Sequence, residues 1–262
     1  MNDPVIVINW VIFMYWIGLA IQITGIALEI CILVFMARRH LYRAFPVFAG
    51  YIAYVILQVV LRALFLSNAH LYFYVYWITA PVEVILSILA VHESFLRVFR
   101  GFYLVRWFRV LFPGSIASAV LYSAVRGYLY PPVHATAIEA AIILAMLTAQ
   151  YVILAISVLF FVLVKLMGAP WRIHEYRIVA GFALSSVMTA FAASVRSVFV
   201  TRFAFLSGML PALTYIVVLA IWLSAVVYPL SEIKIICEQP LEEVVKDMRE
   251  QLKVVRSLWR RL

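Results

Sequence analysis

A chain of 262 residues that is 67% hydrophobic and only 13% charged, with a mean hydropathy of +1.06, departs from soluble domains, which are about half apolar and a quarter charged. A soluble fold cannot hide that much apolar surface. The net charge of +9 does not point to nucleic acid, because the cations sit in loops between apolar runs, and the runs are continuous rather than alternating, so helices and not barrel strands are expected to carry the chain across a membrane.

Seven stretches reach or approach the roughly 20 residues a span needs. The first, Val5–Met36, has no basic segment before it and is expected to be retained rather than cleaved as a signal peptide. It carries Trp10, Tyr15 and Trp16 near one end and Glu29 nearer the other. Phe45–Leu66 follows, with Arg62 in its far half. Leu71–Leu96 opens on Tyr72, Phe73, Tyr74, Tyr76 and Trp77, holds Pro81 and Glu83 at its centre, and ends on His92 and Glu93. Its aromatic opening reads as a belt at the outer interface, with a ligand pocket as the alternative.

The fourth stretch, Val110–Val125, is the weakest. It contains Pro113 and Gly114 and must borrow from residues 102–109, whose arginines would snorkel. Ala135–Val164 begins with Glu139. Ile178–Val200 is rich in small residues, with Ser186, Ala190 and Ser194 on one face and Gly181, Ser185, Thr189 and Ala193 on another, a spacing that lets helices approach closely. The last span is Phe205–Leu230. Residues 1–236 therefore form the membrane domain.

Residues 237–262 form the second segment. There Leu241, Val245, Met248, Leu252, Val255, Trp259 and Leu262 recur at steps of four and three between charges, the pattern of an amphipathic helix lying on an anionic membrane surface or pairing as a short coiled coil. Cys31 and Cys237 are read as isolated thiols. No soluble output domain follows the tail in this sequence, so a signal is expected to pass to a separate protein.

Orientation comes from the cations. Of the 21 basic residues, 17 fall in alternate loops and the tail, three (Arg126, Arg196 and Arg202) fall in the opposite loops, and Arg62 lies inside a span. The positive-inside rule then places the N-terminus outside and the C-terminus in the cytoplasm. Losing the fourth span would give the two halves opposite orientations, so the charge pattern itself calls for seven.

Ionisable residues inside spans are costly and mark functional sites. Arg62, Glu83, Glu139, Glu29, His92 and Glu93 are the candidates. Arg62 and Glu139 fall toward the outer face, where Arg62 could pair with Glu139 or reach Glu83 in a salt bridge that fixes register. Glu29, His92 and Glu93 fall toward the inner face, where His174 and Glu175 could join them in a metal or proton site, or where all face headgroups and loop arginines.

Several chemistries are set aside. A retinal protein needs a Schiff-base lysine in the last span, which has none, so retinal is not expected and the cofactor is left unknown. Neither His92-Glu93 nor His174-Glu175 completes a zinc-protease motif. Asp3 and Asp247 are the only aspartates, too few for an Asp-rich magnesium site, and no nucleophile elbow is present. The expectation is a non-enzymatic protein with no metal site.

The segments Arg38–Tyr54 (RRHLYRAFPVFAGYIAY), Tyr72–Trp77 and His92–Arg100 (HESFLRVFR) resemble small uncharacterised bacterial seven-helix membrane proteins over most of the chain. That resemblance implies the bacterial inner membrane and the seven-helix topology and carries no established activity. In topology alone the chain is also similar to small sugar transporters of the SWEET type, two parallel triplets around a linker helix. Gly50 and Gly181, and Pro81 and Pro211, echo such a repeat, whereas the first, fifth and sixth spans lack the prolines that family carries.

The fold class read from the sequence is thus all-α, a polytopic seven-transmembrane-helix bundle, N-out and C-in, with a C-terminal cytoplasmic amphipathic helix. The function read with it is a sensor-like or scaffold subunit binding an apolar ligand, lipid or membrane partner, the rival being a small secondary transporter. Expected partners are membrane lipids and a membrane protein or second copy of the chain, with no nucleic acid.

Overall fold

The computed structural model describes the backbone of residues 4–99, 106–130, 137–167, 173–198 and 204–228. The expected tail helix and the domain boundary at residue 236 lie outside the described residues. Among the described residues, eight helices belong to one compact unit, Met1–Val227: α1 (Pro4–Arg38), α2 (Leu41–Ala44), α3 (Pro46–Leu64), α4 (Ala69–Val98), α5 (Arg106–Leu129), α6 (Ala137–Met167), α7 (Ile173–Val198) and α8 (Ala204–Val227). Among the described residues, six helices (α1, α3, α4, α6, α7 and α8) are long and apolar enough to cross a membrane, the architecture of a multi-pass helical membrane protein.

The fourth predicted span differs from the rest. It forms α5, 24 residues long with Pro113 inside it, yet among the described residues its apolar part is only Ile116–Leu129. A second difference lies between the first two spans, where the chain forms the single turn α2. His40, at φ 56 in the left-handed region, ends α1 and redirects the chain.

Local sequence explains several helix ends. Asn68 accepts a hydrogen bond from the Leu71 amide at 3.2 Å, a side-chain N-cap that starts α4. Pro46 opens α3 at a position where a missing N–H costs nothing. The next two amides of α3 have no local cap, and a side chain from another helix supplies it, as described below.

The helices pack in a ring. α1 contacts α3, α3 contacts α4, α4 contacts α7, α7 contacts α8, and α8 returns to α1; α6 fits against α4 and α7, and α5 packs on α6. Two glycines make close approaches possible. A Cβ on Gly127 of α5 would lie 2.8 Å from the Ala141 Cα of α6, and one on Gly181 of α7 would collide with the Trp222 indole of α8.

The buried interior is aromatic toward the end where the chain passes from α1 to α3. Phe48, Tyr51, Phe182 and Trp222 meet edge to face or tilted at 4.8–6.2 Å, and Phe95, Phe99, Phe160 and Tyr176 form a second group. Large aliphatic side chains such as Ile23, Ile78, Ile85, Leu121 and Ile143 point outward. Apolar side chains on both faces of a helix are the pattern of a bundle solvated by lipid.

Candidate functional site

Two clusters of polar side chains lie inside this apolar bundle. The first is at the arginine-rich end, where α1 ends, α3 and α7 begin and α4 and α8 finish. Glu93 of α4 accepts hydrogen bonds from the Val47 amide at 3.3 Å and the Phe48 amide at 3.1 Å, one on each carboxylate oxygen. These are the orphan donors of the first turn of α3, and a negative charge there also meets the positive end of the helix dipole. Arg177 donates to the Ser224 carbonyl in the last turn of α8 at 2.8 Å, the complementary pairing at a helix C-terminus.

Around these caps, the Arg97 guanidinium lies 4.4 Å from the centroid of the Phe45 ring, and Phe45 stacks on His174 with centroids 6.5 Å apart. His174 and Glu175 are buried here, and His92 is half-buried on α4. Among the described residues no group of three or more His, Cys, Asp or Glu side chains could hold a metal ion. The inner-layer grouping expected from the sequence therefore divides: Glu93 fastens one helix end, while Glu29 makes its hydrogen bond elsewhere.

The second cluster lies near the middle of the bundle. Tyr51, Val55, Gln58 and Arg62 follow one face of α3 at steps of four, three and four. Glu83 of α4 lies beside Gln58 and within electrostatic reach of Arg62 and of Glu29 on α1. Glu29 is only 2% exposed and accepts a 2.7 Å hydrogen bond from the Tyr215 hydroxyl of α8. Its residue spacing put it with His92 and Glu93, but the tilt and rotation of α1 against α8 bring it to the central group.

Among the described residues Arg62 makes no hydrogen bond to Glu83. It donates to the Thr79 hydroxyl at 3.3 Å and its guanidinium lies 4.6 Å from the centroid of the Tyr76 ring, a cation–π contact. The Tyr54 hydroxyl donates to the Thr79 carbonyl at 2.9 Å. The break in the ladder at Pro81 lies one turn away. Glu139 lies near the start of α6, and its side chain is outside the described residues.

Part of this cluster is unfinished. Gln58 is 2% exposed, yet neither its amide oxygen nor its amide nitrogen completes a hydrogen bond, and the second oxygen of Glu29 and the Nε of Arg62 also lack partners. Unpaired buried polar groups cost about 1–3 kcal/mol each, so a protein that keeps several together is poised to satisfy them with something else. A cavity of about 40 Å³ lies between α3, α4, α6 and α7, with Glu83, Tyr51, Ser87 and Gln150 in its wall.

Sequence reasoning missed Gln58, Tyr51, Gln150 and Tyr215. Gln58 carried a signal, because it sits one turn before Arg62 in an otherwise apolar helix. The tyrosines and Gln150 could not be told from ordinary packing residues. Comparison with protein-family models, curated proteins and solved structures gives no match.

Proposed function

We propose that this chain is a non-enzymatic, seven-span membrane protein that binds a small polar or cationic solute at the centre of its bundle and acts as a sensor-like subunit. The observation that carries this reading is the buried, hydrogen-bond-deficient set of Gln58, Glu29 and Arg62 beside Glu83. An apolar ligand or a lipid tail would leave those groups unsatisfied, so the ligand chemistry shifts from apolar to polar. The α3 helix joins the two clusters, fastened by Glu93 at its first turn and lining the central group with Gln58, so a ligand that moves Gln58 pulls on the arginine-rich end.

By the positive-inside rule that end faces the cytoplasm, the N-terminus is outside, and the tail from residue 237 is an amphipathic helix available to lipid or to a partner protein. The resemblance to small bacterial seven-helix proteins supports placement in the inner membrane.

Transport is the second reading, and one observation favours it. The neighbours run in chain order within α1, α3 and α4 and again within α6, α7 and α8, while α1 contacts α8 and α4 contacts α6. The first helix of each triplet meets the third of the other, the relation two parallel repeats about a common axis require, with α5 as the linker.

The test is a thermal-stability screen of small polar and cationic solutes on purified protein in detergent, repeated on Q58M and E83Q. A solute that stabilises the wild-type chain and neither variant supports the central site. Stabilisation that survives in both variants removes it. Accumulation of that solute in vesicles then selects the transporter, and binding without flux selects the sensor.

A further inference from the structure

The cavity of about 40 Å³ between α3, α4, α6 and α7 differs from its surroundings in the kind of atom that lines it. We propose that it is a binding site for a dehydrated monovalent cation of sodium size, with Glu83 as the anionic ligand. This deepens the reading above and rests on the same bundle-interior site.

The wall brings one carboxylate together with several neutral side-chain oxygens. Glu83, Tyr51, Ser87, Gln150, Ser185 and Ser186 contribute to it. The Ser87 hydroxyl proton is already committed to the Val84 carbonyl at 2.7 Å, and that of Ser186 to the Gln150 side-chain oxygen at 2.9 Å. Each hydroxyl oxygen keeps lone pairs and no proton for a guest. An anion would meet repulsion from Glu83. A hard cation finds one carboxylate and several neutral oxygens, the ligand chemistry such ions select.

Charge balance points the same way. Glu29 and Glu83 feel each other's charge, and among the described residues the guanidinium nearby, that of Arg62, spends its contacts on Thr79 and Tyr76. Two carboxylates against one cation leave the centre one positive charge short if both are ionised. The amide of Gln58, 2% exposed with both polar atoms unpartnered, stands beside the same carboxyl and can turn its oxygen to an ion there. The volume exceeds the roughly 30 Å³ that a water molecule occupies in the liquid, enough for a small ion. Pro81, inside α4 two residues before Glu83, also leaves one backbone carbonyl of that helix without its usual donor.

The experiment is equilibrium binding of radioactive sodium to the purified full chain in detergent, at constant ionic strength set with choline. Saturable binding that E83Q weakens more than about tenfold, equivalent to about 1.4 kcal/mol, and that S87A and S186A weaken to a smaller degree, is the expected result. I143V, on the outward face of α6, should leave affinity within about twofold, less than about 0.5 kcal/mol. No saturable sodium binding by the wild-type chain, or binding that E83Q and the serine variants leave unchanged, overturns the site. Stability that follows pH and ignores sodium also overturns it, in favour of a proton. If E83Q fails to fold, the serine variants decide alone. Because the bound sodium itself is counted here and a different set of ligands is screened there, failure here leaves the solute-binding reading standing, and failure of the solute screen leaves sodium binding intact.

Discussion

Glu93 and Glu83 are glutamates of the same helix, ten residues apart in an apolar bundle, and they meet opposite surroundings. Glu93 divides its two oxygens between two backbone amides of α3. Glu83 lies beside an amide side chain that completes no hydrogen bond, and near a guanidinium occupied elsewhere. The arginine-rich end is a finished polar structure and the middle is an unfinished one. A buried polar group that is fully paired stabilises a fold, whereas one kept partly unpaired costs stability and is retained for what it can bind. The two regions should therefore respond oppositely to removal of their polar atoms.

The largest loss is expected at Glu93. Replacing it by alanine strips two charge-assisted hydrogen bonds from the first turn of α3 and should lower the unfolding free energy by about 3 kcal/mol, read as a fall in the midpoint of denaturation in detergent. E93Q, which keeps an oxygen for one amide, should lose about half as much. If E93A is as stable as the parent, α3 does not depend on this cap.

At the boundary between the regions, Gly181 gives the Trp222 indole room to donate to the Ile178 carbonyl at 3.1 Å. G181A forces that large ring away and should cost about 2 kcal/mol, with a shift in indole fluorescence as the ring leaves Phe48 and Phe182. Closer to the middle, Y215F removes the hydrogen bond held by Glu29 and leaves both carboxylate oxygens without a partner. The expected loss is about 1–2 kcal/mol, smaller than at Glu93 because one bond is lost rather than two.

The spans were legible in the sequence because hydrocarbon imposes length and composition on a helix that crosses it. Six stretches became long apolar helices close to the expected limits. The short stretch around Pro113 was legible as the weak one, and the structure leaves it beside α6 at the edge of the ring. The site was legible only in part. An ionisable residue within a span can be picked out by type, as Glu29, Arg62 and Glu83 were, but its partner depends on helix rotation and tilt, which packing sets. Hence Arg62 turned to Thr79 and Tyr76, and Glu29 to Tyr215. Sequence set Glu93 nearer the inner face than Glu83 but could not show that it caps α3, because the amides it caps lie 45 and 46 residues away in the chain. The uncharged members, Gln58 and Gln150, had no distinguishing charge at all.

The smallest effect, and the one of opposite sign, is expected at Gln58. Methionine follows the shape of glutamine closely, so Q58M removes two unpartnered polar atoms without opening a cavity. The amide's polar neighbour is the Glu83 carboxyl, a contact short of full hydrogen-bond geometry, so the variant mainly sheds the desolvation cost of the amide and should be more stable than the parent by about 1 kcal/mol. The same change should abolish solute-dependent stabilisation, because the group that the ligand would satisfy is gone. Stability and binding then move in opposite directions at one residue, which a purely structural glutamine cannot produce. A Q58M chain that is less stable than the parent would show that the amide is already satisfied in the resting bundle, and the contrast between the finished end and the unfinished middle would disappear.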